Sequence, residues 1–224
     1  MITISAFHWV PDLARGHVRD LRARWALEEA GLPYRTRLLE QGDQDKDDYR
    51  ALQPFGQVPI FEEDGLTLFE TGAIVQHIGE RSEALLPKEP GARARAIQWM
   101  FAALNSIEPF VMNVALIDFF YTNEEWAKLR RPGAEELARL KLKRVSDWLG
   151  DRQWLEGDRF TIGDLLMITV LRFLRHTDLV AGFANLEAYV KRGEARPAFR
   201  RALSDQLAVY AANQPQPEPE GAAA

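Results

Sequence analysis

The pattern of the chain changes at residues 83–92, where two prolines and a glycine interrupt an otherwise regular sequence. Proline and glycine are the residues that most often end helices and strands. Before this segment strand and helix signals alternate, whereas after it the apolar residues recur at helical spacing. The change predicts a first domain over residues 1–84, a linker over 85–92 and an all-helical domain over 93–210.

The first domain carries the signals of an α/β fold. Apolar residues alternate with polar ones in the predicted strands and recur every three or four positions in the predicted helices. Asp64-Gly65 is a strong hairpin signal. The predicted order is β-α-β-α-β-β-α. Its elements are strand 2–8, helix 17–30, strand 34–39, helix 46–52, strands 60–63 and 66–69, and helix 71–81.

The second domain has only helical signals. Thr161-Ile-Gly-Asp164 has the spacing of a capping box, which predicts that a helix starts there. The remaining predicted helices are 93–120, 134–149, 186–193 and 197–210. The last residues, 211–224, are rich in proline and are predicted to be disordered.

Composition excludes several classes of function. The chain has no cysteine, so it cannot supply a thiolate nucleophile or a Cys-x-x-Cys redox pair. Lys and Arg total 28 against 33 Asp and Glu, a net charge of −5 that argues against a nucleic-acid partner. The four histidines lack metal-ligand spacing, which predicts no metal site. With neither a signal peptide nor an uninterrupted 18-residue apolar run, we expect a cytoplasmic protein with no membrane partner.

One candidate binding motif is Gln53-Pro-Phe-Gly-Gln-Val-Pro59. A proline at the start of a strand leaves that edge without a donor. If the Val58–Pro59 bond is cis, the main chain of Val58 faces outward and can pair with an extended peptide. The alternative is a plain turn before the hairpin.

A second candidate is Glu70-Thr71-Gly72, at the end of a strand and the start of a helix. The Thr71 hydroxyl and the free N–H groups of the helix start form an anion site. Glu70 beside them can pair with an ammonium group, so the motif suits the zwitterionic end of an amino acid. An ordinary helix cap with a neighbouring acid is the alternative.

These motifs together resemble the cytosolic glutathione S-transferases. Phe-Gly-Gln-Val-Pro followed by Leu-Phe-Glu-Thr-Gly-Ala-Ile is similar to the glutathione-binding half of that family. Residues 24–34 resemble its first helix and second strand, residues 155–164 its buried capping motif, and residues 196–199 its late-helix signature. The resemblance covers residues 1–205.

The resemblance implies a thioredoxin-like domain followed by an all-helical domain. It implies that Val58 pairs with the cysteinyl part of glutathione and that Glu70 and Thr71 hold the γ-glutamyl end. Gln53, Gln57 and Pro59 are further expected neighbours of the tripeptide.

The implied function is a transferase that conjugates glutathione, as co-substrate, to an electrophilic apolar small molecule, as in detoxification. A homodimer is expected, because helices 71–81 and 93–120 have too few polar residues to be solvated on all sides. Two alternatives remain. One is isomerase, reductase or peroxidase chemistry at the same site, and the other is a non-catalytic ligand-binding or scaffold protein.

The chain departs from the family where the glutathione thiol is activated. The family uses a tyrosine, serine or cysteine just after the first strand, and residues 6–20 contain none of these. Cations near a helix start can favour a thiolate, which makes Arg15 and Arg19 candidates. His8 and Trp9 are candidate hydrogen-bond donors, and backbone N–H groups alone are the remaining option.

The second substrate is expected near the first long helix of the second domain. Asn105, Glu108 and Met112 are related by i, i+3 and i+7, and the resemblance implies that this face borders the second-substrate pocket. Core packing or a dimer contact is the alternative for Met112. A nearby aromatic group either shapes an apolar pocket or belongs to the core. Its members are Phe119, Phe120, Tyr121 and Trp126.

Overall fold

Four strands form one mixed sheet in the first domain of this computed structural model, which describes residues 1–214. The central strand β1 (Ile2–Phe7) pairs in parallel with β2 (Tyr34–Leu39). On its other side β1 pairs antiparallel with β3 (Phe61–Glu63), which forms a hairpin with β4 (Leu66–Leu68). The sheet order is β2-β1-β3-β4.

Three helices cover the two faces of the sheet. Helices α1 (Asp20–Ala30) and α3 (Thr71–Gly79) pack against one face, and α2 (Asp47–Arg50) lies on the other. Successive side chains of a strand point to opposite faces, so Ile4 enters the core beneath α1 and α3 while Ser5 contacts Tyr49 of α2. The predicted β-α-β-α-β-β-α order and the thioredoxin-like arrangement are confirmed.

The second domain is helical, as predicted. All ten residues of α7 are buried at its centre, and α9 packs against α1 of the first domain. Its helices are α4 (Pro90–Phe101), α5 (Glu108–Phe120), α6 (Glu125–Leu149), α7 (Ile162–Leu171), α8 (Ala184–Glu194) and α9 (Pro197–Ala212).

Helices α4 and α5 form one continuous run, Pro90–Phe120, joined by a π-helical turn at Ala102–Ile107. Pro109 follows this turn, and a proline inside a helix lacks an N–H and clashes with the carbonyl four residues earlier, here that of Asn105. The wider turn relieves that clash. An 18-residue window of the run has a mean hydropathy of 1.5, enough in length and composition for a membrane span. Its core residues, among them Val111, are buried in the helical domain.

Several helix boundaries differ from the predictions. Helix α1 starts at Asp20 rather than at residue 17, because residues 17–19 form tight turns, in which the Leu21 N–H donates to the Val18 carbonyl at 3.1 Å. Helix α4 starts at Pro90, since the Glu89 carboxylate accepts hydrogen bonds from the first N–H groups. Helix α9 extends to Ala212, and the rest of the predicted disordered tail, from residue 215, lies outside the described residues.

Helix α6 shows the largest difference, since it starts at Glu125, nine residues before the predicted start at 134. Pro132 lies inside it and removes one intrahelical hydrogen bond. The turns before the proline are held by tertiary contacts. Ala127 is fully buried, and the Arg131 guanidinium binds the Asp118 carboxylate of α5 through two hydrogen bonds of 2.6 and 2.9 Å.

Candidate functional site

A cavity of about 450 Å³ lies between the first domain and the α4–α5 run. It is lined by the segment before β3, the start of α3, the start of α1 and the π-helical turn. All six residues that the sequence assigned to glutathione line this one cavity. They are Gln53, Gln57, Val58, Pro59, Glu70 and Thr71.

The segment before β3 presents free main-chain groups to the cavity. The Val58 side chain is buried in a small apolar cluster with Leu39, Tyr49 and Ile60, which fixes its position. The Val58–Pro59 peptide bond is cis. Within residues 1–214, neither the N–H nor the carbonyl of Val58 has a protein hydrogen-bond partner. Such an unpaired edge can accept an extended peptide as an added strand.

The start of α3 is open on the cavity side. Glu70 precedes the helix with φ +68° and ψ 116°, a conformation that costs a non-glycine residue about 1–3 kcal/mol. Its exposed carboxylate does not cap the helix, so the first N–H groups of α3 stay free to bind an anion. An ammonium group can pair with Glu70 while a carboxylate binds those N–H groups. The geometry therefore suits the backbone end of an amino acid.

A close approach between the domains narrows the cavity beside Thr71. A Cβ atom added to Gly72 would lie 2.7 Å from the Leu104 Cδ1 atom, so only glycine allows α3 to approach the π-helical turn this closely. The apolar wall opposite the start of α3 consists of Met100, Phe101 and Leu104.

Two arginines of the first domain meet one glutamate of the second at the cavity wall. Arg19 donates to the Glu108 Oε1 atom from Nε at 3.1 Å and from Nη2 at 2.7 Å. Arg22, which is 2 % exposed, reaches both Glu108 oxygens at 3.0 and 3.2 Å. Its Nη1 atom also donates to the Thr71 hydroxyl at 3.2 Å. The Arg19–Glu108–Arg22 cluster thus links α1, α5 and the start of α3.

This cluster carries a net positive charge of one. Burial alone raises the pKa of Glu108, but the charges of Arg22 and Arg19 hold it below its ordinary value, so the carboxylate is ionised. Two guanidinium groups share that single carboxylate. The excess positive charge faces the cavity through Arg19, which lines it.

The other three candidates for thiol activation lie outside the cavity lining. Arg15 donates to the Val10 carbonyl and pairs with Asp12 at 3.0 Å. His8 lies between the Leu39 carbonyl and the Glu40 carboxylate. The Trp9 Nε1 atom is buried, with no partner among the described residues. Of the four residues proposed for thiol activation, Arg19 is therefore the one that lines the cavity.

Two of the three residues predicted to border the second substrate line the cavity. Asn105 and Glu108 line the cavity, but Met112 packs against the hydrophobic core. Met112 lies one helical turn, about 6 Å, beyond Glu108 and so past the end of the cavity. This position favours the core-packing alternative for Met112.

The aromatic group at the end of α5 is mostly exposed rather than part of the core. Phe120, Tyr121 and Trp126 are exposed, and only Phe119 packs against the core. Phe119 contacts His17 at a ring-centroid distance of 5.9 Å, and His17 stacks on Phe173 at 5.2 Å. The group therefore lies near the loop before α1.

Sequence reasoning missed Arg22 and the apolar wall. The signal for Arg22 was present, because it follows Arg19 by three residues and so shares its helix face. No sequence signal places Met100, Phe101 and Leu104 at the cavity, since the π-helical turn changes which side chains of the run face it. In the part of the chain that the structure describes, no group of three His, Asp or Glu side chains could hold a metal ion.

The sequence of the chain matches models and members of one protein family. The family model described as glutathione S-transferase, N-terminal domain, matches residues 13–80, and that of the C-terminal domain matches residues 110–197. The Escherichia coli O157:H7 protein named glutathione S-transferase GstA is 31% identical over 193 residues, which cover 83% of this chain and 92% of that protein. The chain belongs to the glutathione S-transferase family. It is an enzyme of the glutathione S-transferase type.

Solved structures of other glutathione transferases have the same fold. One from Pseudomonas fluorescens Pf-5, described with two glutathione bound, has a TM-score of 0.80 and 25% identity and covers 90% of this chain and 92% of that one. One from Burkholderia graminis, described with two glutathione molecules bound per subunit, has a TM-score of 0.79 and 26% identity over 91% and 87% of the two chains. This glutathione S-transferase thus shares both domains with them.

Proposed function

We propose that this glutathione S-transferase conjugates the thiolate of glutathione to an electrophilic apolar small molecule. One observation carries the proposal: a single cavity combines an unpaired strand edge, an open helix start with an adjacent carboxylate, and a net positive cluster. The first two features suit the two ends of a peptide with a free α-amino acid terminus. The third supplies what a thiol needs to ionise.

Each part of glutathione has a partner in this proposal. The cysteinyl N–H and carbonyl pair with the main chain of Val58 as an added strand. The γ-glutamyl carboxylate binds the N–H groups at the start of α3 and the Thr71 hydroxyl, while its ammonium pairs with Glu70. Gln53 and Gln57 offer amide groups to the rest of the tripeptide. The electrophile binds against the apolar wall of Met100, Phe101 and Leu104.

Arg19 is the proposed thiolate-stabilising residue. A thiol has an ordinary pKa of about 8.5, and a drop of two units takes about 2.7 kcal/mol. A neighbouring cation and a helix start can each supply part of that. Glu108 positions Arg19 without cancelling the charge of the cluster, because Arg22 shares the same carboxylate.

Thiolate absorbance of the glutathione complex, titrated against pH at saturating glutathione, tests this role. We expect a bound-thiol pKa well below 8.5 in the wild type and a return towards that value, by about one unit, in Arg19→Ala. Arg15→Ala is the matched control, since Arg15 lies four residues away outside the cavity, and it should leave the titration unchanged. An unchanged curve in Arg19→Ala would move the role to backbone N–H groups.

A wild-type thiol with no depressed pKa would contradict the catalytic proposal and favour a glutathione-binding protein without transferase activity. A neutral thiol is a weak nucleophile at pH 7.

Glutathione-dependent reduction is a second candidate. It is favoured by the two similar structures that are described with two glutathione molecules bound. In that reaction the bound thiolate attacks a disulfide sulfur of the substrate and releases the other thiol. Turnover rates of an aryl halide and of a small mixed disulfide distinguish conjugation from reduction. A ratio above about tenfold identifies the reaction of the faster substrate as the function, whereas equal rates would support both activities.

We also infer a homodimer. Phe55 is 65% exposed and lies beside Phe69, and Phe101, which lines the cavity, is 52% exposed. Exposed aromatic side chains of this kind are enriched in subunit interfaces. Sedimentation at micromolar concentration should give twice the 25.5 kDa mass of the chain, and a monomer would contradict the inference.

Members of this family are mostly soluble cytosolic proteins, which supports a cytoplasmic location.

A further inference from the structure

The segment that presents Val58 to the cavity is held by two buried hydroxyl groups. The Tyr49 hydroxyl donates to the Gln57 carbonyl at 2.8 Å, and the Ile60 N–H donates to the Ser5 Oγ atom at 2.8 Å. The two hydroxyl oxygens lie 2.9 Å apart. Since the one Tyr49 proton is used on Gln57, the Ser5 hydroxyl must donate to the Tyr49 oxygen.

Every proton in this chain of bonds is therefore assigned. The chain of bonds runs from the Ile60 N–H through Ser5 and Tyr49 to the Gln57 carbonyl. It thus connects the residues on either side of the Val58–Pro59 pair. Both hydroxyls are buried, with Ser5 1% and Tyr49 4% exposed. Burial raises the pKa of Tyr49 above its ordinary value, so its hydroxyl stays protonated and remains a donor.

The regular strand ladder does not reach this segment. The register between β1 and β3 ends at the Ile4–Phe61 pair, and a single further bond joins the Ser5 N–H to the Ile60 carbonyl at 3.0 Å. Pro59 has no N–H, and Val58 is unpaired within residues 1–214. The two hydroxyls therefore fix both ends of a segment that the sheet itself leaves free.

We propose that Tyr49 is a positioning residue for glutathione, which aligns the main chain of Val58 by holding the Gln57 carbonyl through the Ser5–Tyr49 hydroxyl pair. This inference rests on the proposed function, in which Val58 pairs with the cysteinyl part of the peptide. Tyr49 itself lies behind the segment and touches no substrate.

Tyr49→Phe tests the proposal with little disturbance. The phenyl ring keeps its packing in the cluster with Leu39, Val58 and Ile60 and its contact with the Arg37 guanidinium, 5.6 Å from the ring centroid. Only the hydroxyl is lost. The variant loses the bond from Ser5 and the bond to the Gln57 carbonyl, and only the second one holds the segment. By calorimetry we expect the affinity for glutathione to fall about fivefold, because that second bond is lost.

Tyr189→Phe is the matched control. Tyr189 is another buried tyrosine, and its hydroxyl donates one hydrogen bond, to Asp164 at 3.0 Å, but it lies in the helical domain. This variant should lose stability and keep the affinity of the wild type for glutathione. An equal loss of affinity in both variants would reduce the role of Tyr49 to stability and overturn the proposal.

Kinetics and a double mutant separate positioning from chemistry. In Tyr49→Phe the KM for glutathione should rise while kcat and the bound-thiol pKa stay unchanged. Ser5→Ala breaks the same chain of bonds, so Ser5→Ala/Tyr49→Phe should bind about as weakly as the weaker single variant. Fully additive losses would contradict a shared network.

The outcomes distinguish the two proposals. A wild type that binds no glutathione would overturn the proposed function and this inference with it. Wild-type binding together with unchanged affinity in folded Tyr49→Phe would overturn this inference alone. If circular dichroism shows Tyr49→Phe to be unfolded, Ser5→Ala carries the same test with the same expected fivefold loss.

Discussion

The starts of α3 and α7 both combine a threonine with an acidic residue, but only at α7 do these side chains cap the helix. At α7 the Thr161 hydroxyl accepts from the Gly163 N–H, and the Asp164 carboxylate accepts from the Thr161 N–H, so the cap is complete and buried. At α3 the acid precedes the helix, does not cap it and faces a cavity. A helix start that satisfies itself stabilises the fold, whereas one left open is available to a ligand.

Asp164→Ala should give the largest effect, and it should be on stability alone. Asp164 accepts four hydrogen bonds, two from the N–H groups of Leu155 and Thr161 and two from the hydroxyls of Thr161 and Tyr189. Leaving several buried donors unpaired should lower the free energy of unfolding by about 4 kcal/mol. Urea denaturation measures this loss, with Asp158→Ala, at an exposed aspartate, as the control. Weakened glutathione binding in folded Asp164→Ala would break the comparison.

Glu70→Ala should show the reverse behaviour. The substrate ammonium loses its charge partner, which is worth about 1.5–3 kcal/mol and so weakens glutathione binding about tenfold or more. The free energy of unfolding should hardly change, because the Glu70 carboxylate makes no cap.

Asp64→Ala is the matched control for Glu70. Asp64 is also an exposed acid with positive φ, at 49°, but it lies in the β3–β4 turn and pairs with the chain N-terminus at 3.5 Å. It should leave glutathione affinity unchanged in calorimetry. Unchanged affinity in folded Glu70→Ala would remove this residue from the site.

The stability of the loop before α1 should depend on pH through His17. Burial, with the charges of Arg175, Arg172 and His176, lowers the pKa of His17 from 6.5 to about 3. The folded pKa lies below the unfolded one, so the contribution of neutral His17 is fully present above pH 6.5 and is lost as pH falls towards 3.

The full shift would lower the free energy of unfolding by about 1 kcal/mol between pH 6.5 and 5.5, and because His17 is partly exposed we expect about half of that loss. Urea titrations of the wild type and His17→Phe at several pH values measure it, since phenylalanine keeps the stacking on Phe173. A difference in the free energy of unfolding between the two proteins that does not vary with pH would contradict the lowered pKa of His17.

The two threonines give the smallest and most closely matched pair. Thr161→Val should lower the free energy of unfolding by about 1 kcal/mol and leave glutathione affinity unchanged. Thr71→Val should weaken glutathione binding only about threefold, because the N–H groups of α3 still bind the carboxylate. It should lower the free energy of unfolding by less than Thr161→Val does, because Arg22 Nη1 keeps Glu108 as an acceptor. Thr71→Ser should keep wild-type affinity, since it retains the hydroxyl that accepts from Arg22. The same response in both valine variants would show that the two helix starts are equivalent.

Local patterns in the sequence were enough to predict the order of the elements and the two motifs that line the cavity. The strand alternation, the Asp64-Gly65 turn and the Thr161–Asp164 cap act over a few residues, so neighbouring residues determine them. Val58, Glu70 and Thr71 were assigned to glutathione because the two short motifs that contain them resemble those of the family. Their use of glutathione remains a proposal.

Other features depend on residues far apart in the chain. Arg15 and Arg19 are alike in sequence, and the start of α1 after Gly16 decides which of them faces the cavity. Glu108 lies 86 positions from Arg22 and reaches it because the two domains pack together. The position of Met112 and the early start of α6 depend in the same way on packing between helices. Ion pairs and burial between distant segments form only when the chain has folded, and no local pattern encodes them.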